Sequence, residues 1–405
     1  MTGQHQTSIP GHPVISPAIF RAAPVEAGVS ATPIFNHRKT LQVTSGRVAL
    51  ALIMESIGTG PGAKVLLPAF NCEAMVLPIT SLGGTPVYYR VNSDLSPDLE
   101  DLEQKIDDQV QCMIAVHYFG FPPDIEALAD FASRHSILLI EDCAHAFFGS
   151  YNGKALGSFG DFTFLSPAKF LPIFDGGYLM SRNDRLPEIV LVNGGLKFQI
   201  KVLINTIEYS LKAGKFGILN GLLSIPFILK DRLIQALKKS NRLDNQADAA
   251  PLSAHGGTDF EPEWMHVRMS STSRWIARRV SLSRTVSRRR ENYRKMLTAF
   301  TGRKSCRPLY TELTDNVVPY VFPLYVQRGD DVYHRLRELG IPVYRWECIP
   351  ENICAVGTDY KSRLIQLPIH QELSSVDLNR IIQGVYQALD DGRPAESTGT
   401  TGSRQ

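Results

Sequence analysis

Short apolar runs bounded by polar or turn residues recur through the first half of the chain, at 64–68, 85–91, 112–116, 137–140, 162–164 and 178–180. They are short and rich in strand formers, so they predict buried strands rather than pieces of buried helix. Segments of helical character lie between them at 48–57, 98–106 and 124–135, and another helix opens across 69–74. Strands alternating with helices of this length predict an α/β fold with a mainly parallel sheet covered on both faces.

The pattern changes after about residue 190. Residues 202–211 and 218–237 are apolar, interrupted by Gly214, Gly217, Gly221 and Pro226 and trimmed with lysines. The longest uncharged run, 216–229, is shorter than the roughly 20 residues a bilayer crossing needs. Helices covering a site or a dimer face are the reading adopted; a basic amphipathic hairpin resting on a membrane, through 200–240, is the alternative. Residues 241–257 form a polar linker. Residues 274–294 are strongly basic at helical spacing, which predicts a long solvated helix rather than a nucleic-acid patch. A strand at 320–326, helices at 330–339 and 375–389 and a turn at 340–343 predict a smaller domain. The first 30 residues are rich in Pro, Ala and Ser without a period, and the tail after Asp391 is rich in Gly, Ser and Thr. The first reads as a loose or partly ordered arm and the second as disordered. The expected divisions are an arm at 1–30, a large domain at 31–190, a helical insertion and linker at 191–258, a small domain at 259–392 and a tail at 393–405.

Composition adds bounds. A chain of 405 residues can hold two domains and a large core, and a net charge of +3 gives no electrostatic case for nucleic acid. The six cysteines form no C-x-x-C pair and no cluster with histidine, so they read as reduced thiols of a cytoplasmic protein, with no metal site. No apolar N-terminal core with a basic flank is present, so no signal peptide is expected.

Candidate chemistry gathers between 137 and 177. Two acids, Glu141 and Asp142, follow the apolar run, then His145, and further on Lys169. Ligands of open α/β sheets sit at the carboxyl ends of strands, so Asp142 is placed to face a site. An Asp there with a Lys downstream suits pyridoxal 5'-phosphate: the amine forms a Schiff base, and the carboxylate keeps the ring nitrogen protonated. Ser45-Gly46, opening the helix at 48–57, offers free N–H groups and a positive dipole end to a phosphate, or serves as a plain N-cap.

The stretches EDCAHAFFG, GKALGSFGDF, SPAKFLP and DGG together resemble the DegT/DnrJ/EryC1/StrS family of sugar aminotransferases. The resemblance spans roughly residues 35–195 and 260–390. It implies a fold-type I transferase with a mainly parallel seven-stranded sheet between helices and a smaller C-terminal α+β domain. It implies that Lys169 carries the cofactor, Asp142 faces the ring nitrogen and His145 lies over or beside the ring. Ser45, Gly46 and Arg47 would hold the phosphate, with Arg47 where the family has Thr. Cys72 stands where the family has a stacking aromatic, and Phe70 reads as core. Phe164 replaces a phosphate-binding Ser, a role given to Ser166 over Thr163. Residues 117–120 match a site-lining turn. Residues 264–270 resemble a segment that reaches the neighbouring subunit's cofactor, with His266 in place of its Asn. His370 is either near the substrate or structural. The implied activity is transfer of an amino group from glutamate, or a similar donor, to an activated ketosugar, in a homodimer with shared active sites, for polysaccharide or glycoconjugate building. The alternatives are a lyase of the same fold type acting on an amino acid, and a regulatory or membrane-surface protein that keeps the cofactor without turnover.

Overall fold

The computed structural model describes residues 8–35, 39–182, 188–216, 220, 260–346, 350 and 352–391. The expectations for 218–237, for the linker at 241–257 and for the tail after Asp391 lie outside these residues. In the large domain β1 (Thr40–Val43) leads through Ser45 into α1 (Gly46–Ser56), followed by β2 (Lys64–Pro68), α2 (Glu73–Thr80), β3 (Thr85–Tyr89), α3 (Leu99–Glu103), β4 (Val110–Val116), α4 (Ile125–Arg134) and β5 (Leu138–Asp142). A two-residue hairpin, β6 (Ser150–Tyr151) with β7 (Lys154–Ala155), precedes β8 (Phe162–Leu165) and β9 (Gly177–Ser181).

Seven of these strands form one sheet in the order β1-β9-β8-β5-β4-β2-β3. β8, β5, β4, β2 and β3 run parallel, while β9 is antiparallel to both of its neighbours. The mainly parallel seven-stranded sheet is therefore as expected. The observed β5 is longer than the apolar run at 137–140, because Glu141 and Asp142 continue it. α4 shows why the helices form where they do. Asp124 caps it, accepting from the Ala127 N–H at 3.1 Å, and Ile125, Leu128, Phe131 and Ala132 make its buried stripe.

α5 (Gly195–Lys212), α6 (Ser271–Ala277) and α7 (Leu282–Phe300) follow. The small domain adds β10 (Cys306–Pro308), β11 (Val321–Val326), α8 (Gly329–Glu338), α9 (Ala355–Arg363), β12 (Leu364–Pro368) and α10 (Ser375–Asp390). Its three strands form an antiparallel sheet with β11 in the middle. The basic stretch at 274–294 is not one solvated helix. It is two helices, and Arg289 and Arg290 of α7 are wholly buried.

Residues 8–30 pack rather than hang loose. Ile9, Val14 and Ile19 are buried, and the Ile15 N–H donates to Ser210 Oγ on α5 at 2.9 Å. Pro10 accepts from His370 Nε2 at 2.9 Å, which gives His370 the structural role of its two readings. Glu26 pairs with Arg290 and Arg294 of α7. The hydrogen bond from Arg294, with help from Arg290, holds its carboxyl down at about 2 against the cost of burial. The pair therefore stabilises the fold above the ordinary carboxylate value of 4.5 and is lost as pH falls toward 2. Glu26 is 38% exposed, so screening limits the effect to about 1 kcal/mol. Glu26→Gln is expected to lower the urea midpoint at pH 7, with the gap to wild type closing between pH 4.5 and 2.

Candidate functional site

The carboxyl ends of β4, β5 and β8 lie side by side, with Val116 paired to Asp142 and Asp142 to Phe164. The site forms just beyond them, as open α/β sheets dictate. Adjacent acids on a strand point to opposite faces, so Glu141 and Asp142 do different things. Glu141 is fully buried. Its Oε1 accepts from the N–H groups of Phe159 and Gly160 at 2.8 and 2.7 Å, and its Oε2 from Gly157 N–H at 2.8 Å and from His117 Nε2 at 3.0 Å. It folds the 157–160 turn that delivers β8. His117, Glu141 and Cys143 are close enough together to share an ion, but both Glu141 oxygens are already committed to donors, so the cluster works as a hydrogen-bonded brace.

Asp142 faces the other way. One oxygen accepts from Ala144 N–H at 2.8 Å, and burial pushes its carboxyl above the usual range, opposed by that bond and by Lys169. Lys169 ends a 3₁₀ turn, Pro167–Lys169, directly after β8. Desolvation pushes its amine below the usual lysine value, against the pull of Cys72 and Asp142, and the Arg47 charge pushes it further. Lys169, Asp142, Cys72 and Arg47 are thus brought within electrostatic reach of one another. The Lys169 Nζ lies 5.4 Å from the centre of the Tyr320 ring.

His145 is buried between two parallel aromatic rings, Tyr320 at 4.6 Å and Phe119 at 5.6 Å. Its Nδ1 accepts from the Phe119 N–H at 3.3 Å, and burial pushes its pKa well down, so the ring is neutral with its proton on Nε2. Cys72 stands at the N-cap of α2 without making a cap bond, and burial raises its thiol, so it stays protonated. Phe70 is core: it is 1% exposed, with its ring 4.7 Å from Trp346 and 5.8 Å from Tyr118. Trp346 and Tyr320 reach the site from the small domain, and neither was singled out in the sequence.

Ser45 caps α1, its Oγ accepting from Val48 N–H at 3.2 Å. A side chain at Gly46 would meet Ser166 Cβ at 3.4 Å, so Ser45, Gly46 and Ser166 line one cradle. Gly177 closes it from behind: a Cβ there would lie 1.9 Å from the Ser45 carbonyl oxygen. The Thr163 hydroxyl donates to the Gly157 carbonyl at 2.8 Å, which leaves Ser166 as the hydroxyl beside the cradle. His266 stands apart, 3.3 Å from Glu55 on the surface. Asp175 of the DGG stretch accepts from the Ser270 N–H and hydroxyl, both at 2.7 Å, tying the lysine loop to the start of α6.

These residues fit pyridoxal phosphate on their own chemistry. A desolvated amine is ready to react with an aldehyde. The buried carboxyl of Asp142 has no ion-pair partner within 4 Å among the described residues, and a ring N–H would supply one. The opening of α1 is a small-residue cradle at the positive end of a helix dipole.

An α/β fold with a half-buried lysine beyond its strand ends is the class these features define. The model of the DegT/DnrJ/EryC1/StrS aminotransferase family matches residues 32–200 of this chain. The chain is 36% identical over 146 residues to GDP-perosamine synthase of Vibrio cholerae, covering 35% of this chain and 40% of that relative. The match thus spans well under half the length of that relative. It is 24% identical over 364 residues to dTDP-3-amino-3,4,6-trideoxy-alpha-D-glucose transaminase of Streptomyces venezuelae, covering 85% of this chain and 81% of the other. Among solved structures, the aminotransferase TlmJ of Streptoalloteichus hindustanus superposes with a TM-score of 0.59 at 20% identity, over 86% of this chain and 85% of its own, which shows the fold.

Proposed function

We propose that the protein is a pyridoxal phosphate-dependent aminotransferase that moves an amino group from glutamate, or a similar donor, to the keto group of a nucleotide-activated sugar, in the building of glycoconjugates or polysaccharides. The observation that carries this is a desolvated Lys169 amine within electrostatic reach of a buried Asp142 carboxyl at the strand ends. The cofactor supplies an electron-withdrawing ring that takes up the electron pair released at the donor's α-carbon. Lys169 holds the cofactor covalently through Nζ. The same amine, its pKa lowered, would move the proton at the substrate carbon. Asp142 keeps the proton on the ring nitrogen. His145, neutral and fixed by Phe119, orients the ring. Ser45, Gly46, Arg47 and Ser166 bind the phosphate, and Cys72 packs nearby. The names of the relatives support a sugar bearing a GDP or dTDP carrier.

The test is direct. Borohydride treatment of the loaded protein, followed by peptide mapping, is expected to leave the vitamin B6 label on Lys169. Glutamate is expected to shift the visible absorbance to that of pyridoxamine phosphate, and ketosugars on GDP, dTDP and UDP carriers to shift it back. No shift with any common amino donor would reject an aminotransferase.

The segment at 264–270 supports a homodimer whose copies complete each other's sites, with a solution mass twice that of one chain. No described helix is long and apolar enough to cross a membrane. A cytoplasmic enzyme is the favoured setting, and contact with a membrane surface is the second reading. α5 buries Phe198 and Val202 but turns Leu196, Ile200, Leu203 and Ile204 outward, 74, 46, 45 and 39% exposed, beside Lys197. An apolar stripe bordered by a cation suits an anionic lipid surface. Replacing those four residues by Gln is expected to abolish sedimentation with anionic vesicles; unchanged sedimentation would rule the contact out.

A further inference from the structure

Arg289 on α7 is wholly buried, yet it has no carboxylate partner among the described residues. Its Nη2 donates to the Lys169 carbonyl at 2.8 Å, and its Nη1 to the Tyr320 carbonyl at 2.7 Å and the Pro319 carbonyl at 3.4 Å. Its Nε donates to Gln371 Oε1 at 3.1 Å, and its guanidinium lies 4.5 Å over the Phe170 ring. Gln371 in turn donates to the Phe170 carbonyl at 2.8 Å. Every acceptor is a neutral oxygen. Burial lowers the pKa to about 9, so the group remains a cation at neutral pH.

A buried cation without a counter-charge is an expensive way to fill space, and an apolar side chain would do so at lower cost. What only a guanidinium supplies is a rigid fork that donates in several fixed directions. We infer that Arg289 is a positioning residue for the reactive lysine. One guanidinium fixes the backbone of Lys169 and of Tyr320, whose ring faces the Lys169 amine, and so sets where Nζ can point. The arm comes from the small domain's side of the molecule, so the reactive loop and the wall facing it are registered by a single side chain. This rests on Lys169 being the cofactor-bearing residue.

Its neighbour provides a matched control. Arg290 is equally buried on the same helix, but it donates to the carbonyls of Thr314 and Val317 at 2.7 and 2.6 Å and to Glu26 at 3.0 Å, away from the site. The experiment compares Arg289→Met, Arg289→Lys and Arg290→Met, each loaded with pyridoxal phosphate, by titrating the visible absorbance with pH and by thermal melting. Both Met variants are expected to melt earlier. Of the two Met variants, only Arg289→Met is expected to move the absorbance midpoint, upward by about one pH unit, a tenfold gain in proton affinity at the Lys169 nitrogen. Its direction follows from losing a fixed cation and a fixed geometry together. Arg289→Lys keeps the charge without the fork and is expected to give a smaller upward shift. A wild-type midpoint in Arg289→Met, or an equal shift in Arg290→Met, overturns the inference. If Arg289→Met does not fold, an unmoved midpoint in Arg289→Lys overturns it alone. Absence of a borohydride label on wild-type Lys169 refutes the proposed function, and this inference with it. A labelled wild type with unmoved Arg289 variants refutes only this inference.

Discussion

Lys169→Ala is expected to fold, to take no covalent label after borohydride, and to lose amino transfer by about four orders of magnitude or more. The amine serves twice in the proposed cycle, once as the covalent attachment and once as the proton carrier, so its removal strikes both half reactions. Folding should survive because the amine is desolvated without an ion pair among the described residues, and a half-buried cation of that kind contributes little to stability. Lys169→Arg separates charge from reactivity. It keeps a cation but offers no nucleophilic amine, and it is expected to be as inactive as Lys169→Ala. Mass spectrometry of the reduced peptide and a glutamate-to-ketosugar assay check both.

Asp142→Asn is expected to cost about three orders of magnitude in transfer while leaving the cofactor-free protein as stable as wild type or more so. An amide of the same shape cannot hold a proton on a ring nitrogen. It does escape the penalty of burying a charge, which raises the Asp142 carboxyl. The sign is specific. A carboxyl whose pKa is raised by folding costs no stability below its unfolded value of 3.8, and it costs progressively more as pH rises from there to its folded value, above which the cost is constant. The stability gap between the apo forms of wild type and Asp142→Asn is therefore expected to be absent at pH 3 and present at pH 7. Urea melts at the two pH values measure it, and a gap of the same size at both would remove burial as the cause.

The sheet was legible because buried parallel strands are short apolar runs, and the candidate lysine and aspartate were legible because loops at strand ends carry their motifs in sequence order. The wall facing them was not. Tyr320, Trp346 and Arg289 lie more than a hundred residues from Lys169, and only the folded chain sets them there. Nothing in the run of arginines on α7 distinguishes Arg289 and Arg290 from Arg294, which is half exposed and paired with Glu26. What separates them is the position of carbonyls from three distant loops, which has no local signature. The stretch at 8–30 misled for the opposite reason. Its composition is that of a loose segment, but three isolated apolar residues and a few polar contacts fasten it. His370 illustrates the same limit, since its position in a recognisable motif said nothing of the proline carbonyl it meets.

That fastening has a consequence for how the molecule is made. Pro10 meets His370 across 360 positions of chain, and Ile15 meets Ser210 across 195. Residues 10–15 thus gain part of their docking place when residue 210 has been synthesised and the rest only after residue 370. A polypeptide cut short of His370 would keep the Ile15–Ser210 contact and lose the Pro10 one.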